Sequence, residues 1–385
     1  MQSTSTLTRI GTARGQQVAT RVVFFIIGCI PAVWAPLIPL AKARLGLDDG
    51  MLGLLLLCIG AGSIATMPLT GALASRVGCR TVVVMSALVL FCTLPLLATI
   101  ASVPWLVVVL ISFGASLGSI DVAINIQAIA VEHRSGRAMM SGFHGFFSVG
   151  GVVGALSATA LLSAGVAPIW ATVAVVLVLF FALLSVIAHL LADRSERTDS
   201  MFALPHGIVL LLGVLALIVF LSEGAVLDWS GVFLTSARDV SPSYAGLGYA
   251  AFAFTMTLGR LTGDRIVQAL GAVKVVGLGG LLAALGFLIA TYASPWILAL
   301  VGYALVGAGC SNIVPVLMTS AGRQTVMSKN LAVSAVTTLG YLGILAGPAC
   351  IGFIAHFLGL PTAFLMLAIL LLGVAVSSRF LSLNR

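Results

Sequence analysis

Asp121, Asn125, Glu223 and Asn312 stand inside long apolar runs, where a charge or an amide is costly to bury and points first to function. Asp121 and Asn125 are four residues apart, so on a helix both project from one face. A carboxyl group held away from water can cross a barrier neutral, carrying its proton, and reset after releasing it; proton-coupled movement of a solute needs that chemistry. Glu223 is a second such group. Asp228, five residues further, lies about 140° around a helix from it, beside Trp229, so the two acids share a face only if the helix unwinds locally. The Asn312 amide offers a donor and an acceptor without charge, which suits a polyol. Trp34, at mid-depth between Pro31 and Pro36, could stack on a sugar ring, and His144, at the start of another run, reads as a helix-end or gate residue. Each has a plainer alternative. Asp121 and Asn312 could hydrogen-bond between helices, Glu223 could face a wet vestibule, Asp228 could be solvated and Trp34 could simply pack. The candidate substrate-binding set is thus Trp34, Asp121, Asn125, Glu223 and Asn312, and the candidate proton-coupling set is Glu223, Asp121 and Asp228.

The elements that must position these residues follow from composition. The 385 residues are 60% hydrophobic and 8% charged, with mean hydropathy +1.20, which excludes a soluble globular protein. A net charge of +8 would suggest a nucleic-acid partner in a soluble chain; here Lys and Arg lie between apolar runs and act as topology signals, so none is expected. Runs long enough to cross a bilayer fall near 20–41, 51–74, 81–101, 105–130, 142–164, 168–191, 207–234, 243–268, 272–292, 296–319, 331–355 and 361–380. An all-α membrane protein of twelve transmembrane helices is expected. With both termini cytoplasmic, the inner segments hold sixteen Lys and Arg (Arg9 to Arg385, Arg260 included) and the outer loops only Lys42, Arg44 and Arg238, an asymmetry that fixes the orientation. Trp105, Trp170, Trp229 and Trp296 fall at the outer span ends, as an interfacial belt.

The most polar run, around 193–200, predicts a cytoplasmic linker (193–206) between two six-helix bundles, 1–192 and 207–385. The halves echo each other. Ser75-Arg76 with Arg80 resembles Asp264-Arg265 with Lys274, and Gly118-Ser119-Ile120-Asp121 resembles Gly309-Cys310-Ser311-Asn312, which makes Asn312 the repeat position of Asp121. The basic first twenty residues and the long run after Arg21 are unlike a cleavable signal peptide. Six scattered cysteines show neither metal-ligand nor redox spacing. No catalytic pair or nucleotide loop is visible, so neither enzyme activity nor a cofactor is expected.

The twelve spans, the central linker and the stretch Gly71-Ala72-Leu73-Ala74-Ser75-Arg76-Val77-Gly78-Cys79-Arg80 resemble the major facilitator superfamily and its Gly-x-x-x-Asp-Arg-x-Gly-Arg-Arg motif. Ser75 replaces the usual acid; the second copy, Gly259 to Arg265, keeps it as Asp264. The stretches 121–127, 141–148 and 223–230 resemble the branch containing fucose permeases and related inner-membrane proteins. The resemblance implies gating roles for Gly71, Arg76, Gly78, Arg80, Asp264, Arg265 and His144. It also places spans one, four, seven and ten, which carry Trp34, Asp121, Glu223 and Asn312, around a central cavity. The resulting expectation is a monomeric inner-membrane transporter that works by alternating access and couples protons to a small polar solute such as a sugar or polyol. Proton-driven efflux of amphipathic compounds is the runner-up, and a non-transporting receptor or scaffold is a distant third.

Overall fold

Residues 2–47, 49–192, 204–240 and 246–384 are described by a computed structural model, and among them there are helices and turns but no strand. The first half runs α1 (Gln2–Trp34), a 3-10 turn (Ala35–Leu37), α2 (Ile38–Leu45), α3 (Asp49–Val77), α4 (Cys79–Leu97), α5 (Val103–Ser135), α6 (Met140–Ser163) and α7 (Pro168–Val186). The second half runs α8 (Gly207–Ala237), α9 (Leu247–Leu270), α10 (Ala272–Tyr292), α11 (Trp296–Cys310), α12 (Ile313–Arg323), α13 (Lys329–Leu358) and α14 (Leu360–Ser377). Because α1–α2 and α11–α12 each answer to one expected span, the fourteen helices correspond to twelve. Among the described residues eleven stretches are long and apolar enough to cross a membrane. The twelfth, α9, has the length but carries Arg260, Asp264 and Arg265 in its second half. Residues 193–203 of the expected linker lie outside the described residues.

Local chemistry explains the boundaries. Proline occupies the first turn of α5, α7 and α14, where its missing N–H is no loss. The stretches expected as loops around the two Gly/Arg motifs are largely helical. Gly71 to Val77 closes α3, Gly259 to Arg265 lies inside α9, and the turns fall at Gly78 (φ 84°) and Gly271 (φ 78°), a backbone region open to glycine. Two outer-loop cations serve as helix caps. Arg44 donates to the carbonyls of Leu97, Ala98 and Ile100 at 2.6–2.9 Å, and Arg238 donates to that of Thr291, so each meets the orphan acceptors at the end of α4 or α10.

The chain forms two compact units. One comprises Met1–Gly136, Phe146–Leu204 and Asn330–Ser334; the other comprises Arg137–Gly145, Pro205–Lys329 and Ala335–Arg385. In the first, α5 packs along α3 and α4. A Cβ on Gly114 would lie 1.9 Å from the Ile59 carbonyl oxygen, so only glycine permits that approach. The contact is tied by Ser63 Oγ donating to the Gly114 oxygen (2.7 Å) and Thr66 Oγ1 to that of Ala115 (2.9 Å). In the second unit, α11 packs between α9 and α10, and Thr255 Oγ1 donates to the Ala304 oxygen at 2.7 Å. The Thr66–Ala115 and Thr255–Ala304 pairs are the same bond in the two halves, 189 residues apart. That register corrects the repeat read from sequence: Asp121 matches Cys310, and Asn312 lies two residues beyond, where the helix breaks.

Gly114→Val should lower stability by about 2–3 kcal/mol through overpacking. Gly373→Val, where an added Cβ meets nothing within 4 Å, should be near neutral; thermal unfolding in detergent compares the two.

Candidate functional site

The second unit buries an ion pair. Arg260, near the middle of α9 and 6% exposed, presents Nη2 to Glu223 Oε1 of α8 at 3.4 Å. Its Nε donates to the Ser311 carbonyl at 3.4 Å, an acceptor available because α11 ends at Cys310 and α12 starts at Ile313. One guanidinium thus joins α8, α9 and the break in the tenth span. Arg260, one of the inner positive charges expected from sequence, is a buried cation, and its place inside the expected span 243–268 is the sequence signal for that. A charge pair at this depth is retained only when each partner neutralises the other, so altering either charge changes the balance of the unit.

Asn312 lies at the same break. Its Nδ2 donates to the Gly259 carbonyl (3.1 Å) and to Ser311 Oγ (3.0 Å), and its Oδ1 occupies the hollow left by Gly263. Those contacts fasten α9 to the tenth span, the interhelical role weighed against solute binding. Asp228 is exposed, while Trp229, expected at the outer interface, packs its ring near Gly352 and buries its Nε1 without a partner.

In the first unit Asp121 and Asn125 do meet. Asn125 Nδ2 donates to the Asp121 carbonyl (2.9 Å) and to its Oδ1 (3.2 Å), and Asn125 is 1% exposed with Oδ1 left unpartnered. Among the described residues no cation is within ion-pair distance of Asp121. Gly114 and Gly118 admit the backbone of α3. Trp34 stands at the end of α1, where a 3-10 turn follows, 4% exposed with Nε1 unpartnered. Gln127 Nε2 donates to Thr20 Oγ1 and sets the levels of α5 and α1. Counting along both helices from that bond at ~1.5 Å per residue puts Trp34 and Asp121 about 12 Å apart in depth. One compact ligand would not touch both.

The gating candidates divide. Gly142 N, in the first turn of α6, donates to Asp264 Oδ1 at 2.9 Å, and an added Cβ on Gly142 would lie 2.4 Å from Oδ2. Asp264 therefore caps α6 with a carboxylate, favoured by the exposed N–H groups and the helix dipole. The first motif lacks that acid. Ser75 Oγ donates to the Ala72 carbonyl of its own helix, and close packing of Gly71 on Asn330 and Ser334, with Ser334 donating to the Met67 carbonyl, takes its place. Arg80 is bonded to the chain end after α7, Arg76 and Arg265 are exposed, and His144 lies in the second turn of α6. Asp264→Ala should cost about 1 kcal/mol, as for a lost N-cap, while Ser75→Ala should cost less; thermal midpoints distinguish them.

A family model described as the Major Facilitator Superfamily matches residues 20–229 and 212–384. The chain belongs to the major facilitator superfamily. It is a multi-pass membrane transporter of a small-molecule substrate, not an enzyme. A Yersinia pestis relative called an uncharacterized MFS-type transporter is 54% identical over 94% of this chain and 95% of its own. The membrane protein MosC of Rhizobium meliloti is 32% identical over 94% of this transporter and 89% of its own length. Among solved structures, the outward conformation of FucP shares the fold at TM-score 0.77 and 16% identity, covering 95% of this chain and 98% of FucP. The human organic anion transporter MFSD10 shares it at TM-score 0.74 and 17% identity, covering 96% and 99%.

Proposed function

We propose that this transporter is a proton-coupled symporter of a small polar solute, a sugar or related polyol, working by alternating access in the inner membrane. The buried Glu223–Arg260 pair carries the reading. Adding a proton to Glu223 cancels its attraction for Arg260 and leaves the buried guanidinium without the Glu223 charge, so proton binding has to be answered by a rearrangement or by a solute. Asp121, with no cation beside it among the described residues, is a second place where a proton or a solute hydroxyl would satisfy the charge. The unpartnered Asn125 Oδ1 beside Asp121 favours a polar solute over an amphipathic export substrate, because buried polar atoms are normally hydrogen-bonded. FucP, a fucose:proton symporter, has the same fold, which agrees with this reading.

Arg260 itself favours a second reading, in which the solute bears a carboxylate or phosphate, since a guanidinium freed from Glu223 is a fitted partner for either. Liposomes holding the purified transporter and a pH-sensitive dye decide between the two. Proton influx triggered by a sugar or polyol supports the first, influx triggered only by an anionic solute supports the second, and influx with neither would count against proton symport.

A further inference from the structure

The break in the tenth span comes down to one missing donor. The helical ladder enters it with the Ser311 N–H on the Gly307 carbonyl (3.1 Å) and resumes with the Val316 N–H on that of Asn312 (3.2 Å). Between the two, the Ser311 carbonyl would take the N–H of the residue four further on. That residue is Pro315, which has no N–H and whose ring crowds the same carbonyl. Ser311 and Asn312 otherwise keep right-handed helical dihedrals (φ −50°, ψ −40° and φ −109°, ψ −3°), so the break is a kink and not a loop. The Arg260 Nε–H fills the place of the missing donor at 3.4 Å, while Nη2 meets Glu223. The guanidinium thereby sits at the C-terminal end of α11, the negative pole of that helix.

The first half is an internal comparison. The register set by the Thr66–Ala115 and Thr255–Ala304 bonds puts Ile126 opposite Pro315 and Gly71 opposite Arg260. There α5 runs unbroken from Val103 to Ser135, and glycine stands where the cation would be. Proline and cation are present together in one half and absent together from the other. We propose that Pro315 is a positioning residue for coupling: by withholding an N–H from Ser311 it gives Arg260 a second anchor, which holds the guanidinium at the kink when Glu223 is neutral. Loss of the proton draws Arg260 back to the carboxylate, so the charge state of α8 is passed to the tenth span. Its use in transport rests on the reading of Glu223 as the proton carrier; the anchor does not. The other titratable groups in the field of Arg260 are His144 of α6, Tyr249 of α9 and Cys310 of α11, while Asp264, one turn along α9, accepts from the Gly142 N–H.

A thermal double-mutant cycle on the purified full chain in detergent tests the anchor. Pro315→Ala restores the N–H to a backbone that is already close to helical, so in wild type the midpoint should hold or rise. In Glu223→Gln, where Arg260 leans on the carbonyl, the same change should lower the midpoint by at least about 3 °C relative to its effect in wild type. That is the size expected for a hydrogen bond to a charged group. In Arg260→Met the two changes should simply add. Additivity with Arg260 present would overturn the proposal, as would a coupling that persists in Arg260→Met. Infrared difference spectra against pH give a second readout that does not need the double variant. The protonated Glu223 carboxyl band, assigned by its absence in Glu223→Gln, should appear about one pH unit lower in Pro315→Ala, because Arg260 then leans more on the Glu223 charge. A band that titrates as in wild type would overturn the proposal. Solute accumulation that survives Glu223→Gln overturns the symport reading alone, since both measurements are made without solute and judge the anchor by itself.

Discussion

Across a gradient of one pH unit, the wild-type transporter should accumulate its solute up to about tenfold for each proton coupled, because one unit is worth 1.36 kcal/mol. Glu223→Gln should stop at equal concentrations on the two sides. The amide keeps the shape of the side chain but cannot gain and lose a proton, so the gradient no longer does work on the solute. The same substitution should lower stability, because Arg260 is left buried without its counter-charge. Removing one partner of a buried pair costs about 3–5 kcal/mol, and the low end applies here, since the contact is 3.4 Å and Glu223 keeps 17% exposure. A second substitution separates the two effects. In Glu223→Gln/Arg260→Met the unpaired charge is gone, so the thermal midpoint should return close to wild type while accumulation stays absent. A single variant that still accumulated solute against its gradient would remove Glu223 from the coupling mechanism. A double variant as unstable as the single one would show that an unpaired Arg260 charge is not the source of the lost stability.

The elements were legible where the bilayer itself dictates sequence. A span must be long and apolar, so the number of spans, their order and their approximate ends could be read from the chain. The partners of polar residues were not legible, because they lie far away in sequence. Arg44 and Arg238 registered only as outer-loop charges, yet each closes the end of a helix more than fifty residues away. The Ser75 departure was visible at once, but not that Gly71 packs on Asn330 and Ser334 in its place. Matching Gly-x-x-Asp to Gly-x-x-Asn puts the repeat two residues out of register. A periodic reading assumes an unbroken helix, and α11 breaks at Ser311 and Asn312. Asn312, a candidate solute ligand, bonds the Gly259 carbonyl at that break. Arg260 was overlooked for the opposite reason. A cation inside an apolar run was assigned to the nearest loop, when its depth was the clue that a carboxylate had to be near it.

Asp121→Asn should abolish accumulation as Glu223→Gln does, but with no loss of stability. Asp121 has the Asn125 amide as its side-chain partner and no cation within reach among the described residues, so the substitution removes a charge that nothing in α5 compensates. The thermal midpoint should hold or rise, and that difference in sign separates the two acids more sharply than any transport rate. Solute exchange at equal pH on both sides then divides the roles of Asp121 itself. Exchange that survives in Asp121→Asn assigns the residue to the proton alone, because solute still binds and crosses without it. Exchange that is lost as well places Asp121 against the solute, with Asn125→Ala expected to weaken solute affinity by the roughly 1 kcal/mol of one hydrogen bond. Accumulation equal to wild type in Asp121→Asn would leave Glu223 as the sole coupling acid. The Asp121–Asn125 contact would then be a link within α5, much as Asn312 is a link between α9 and the tenth span.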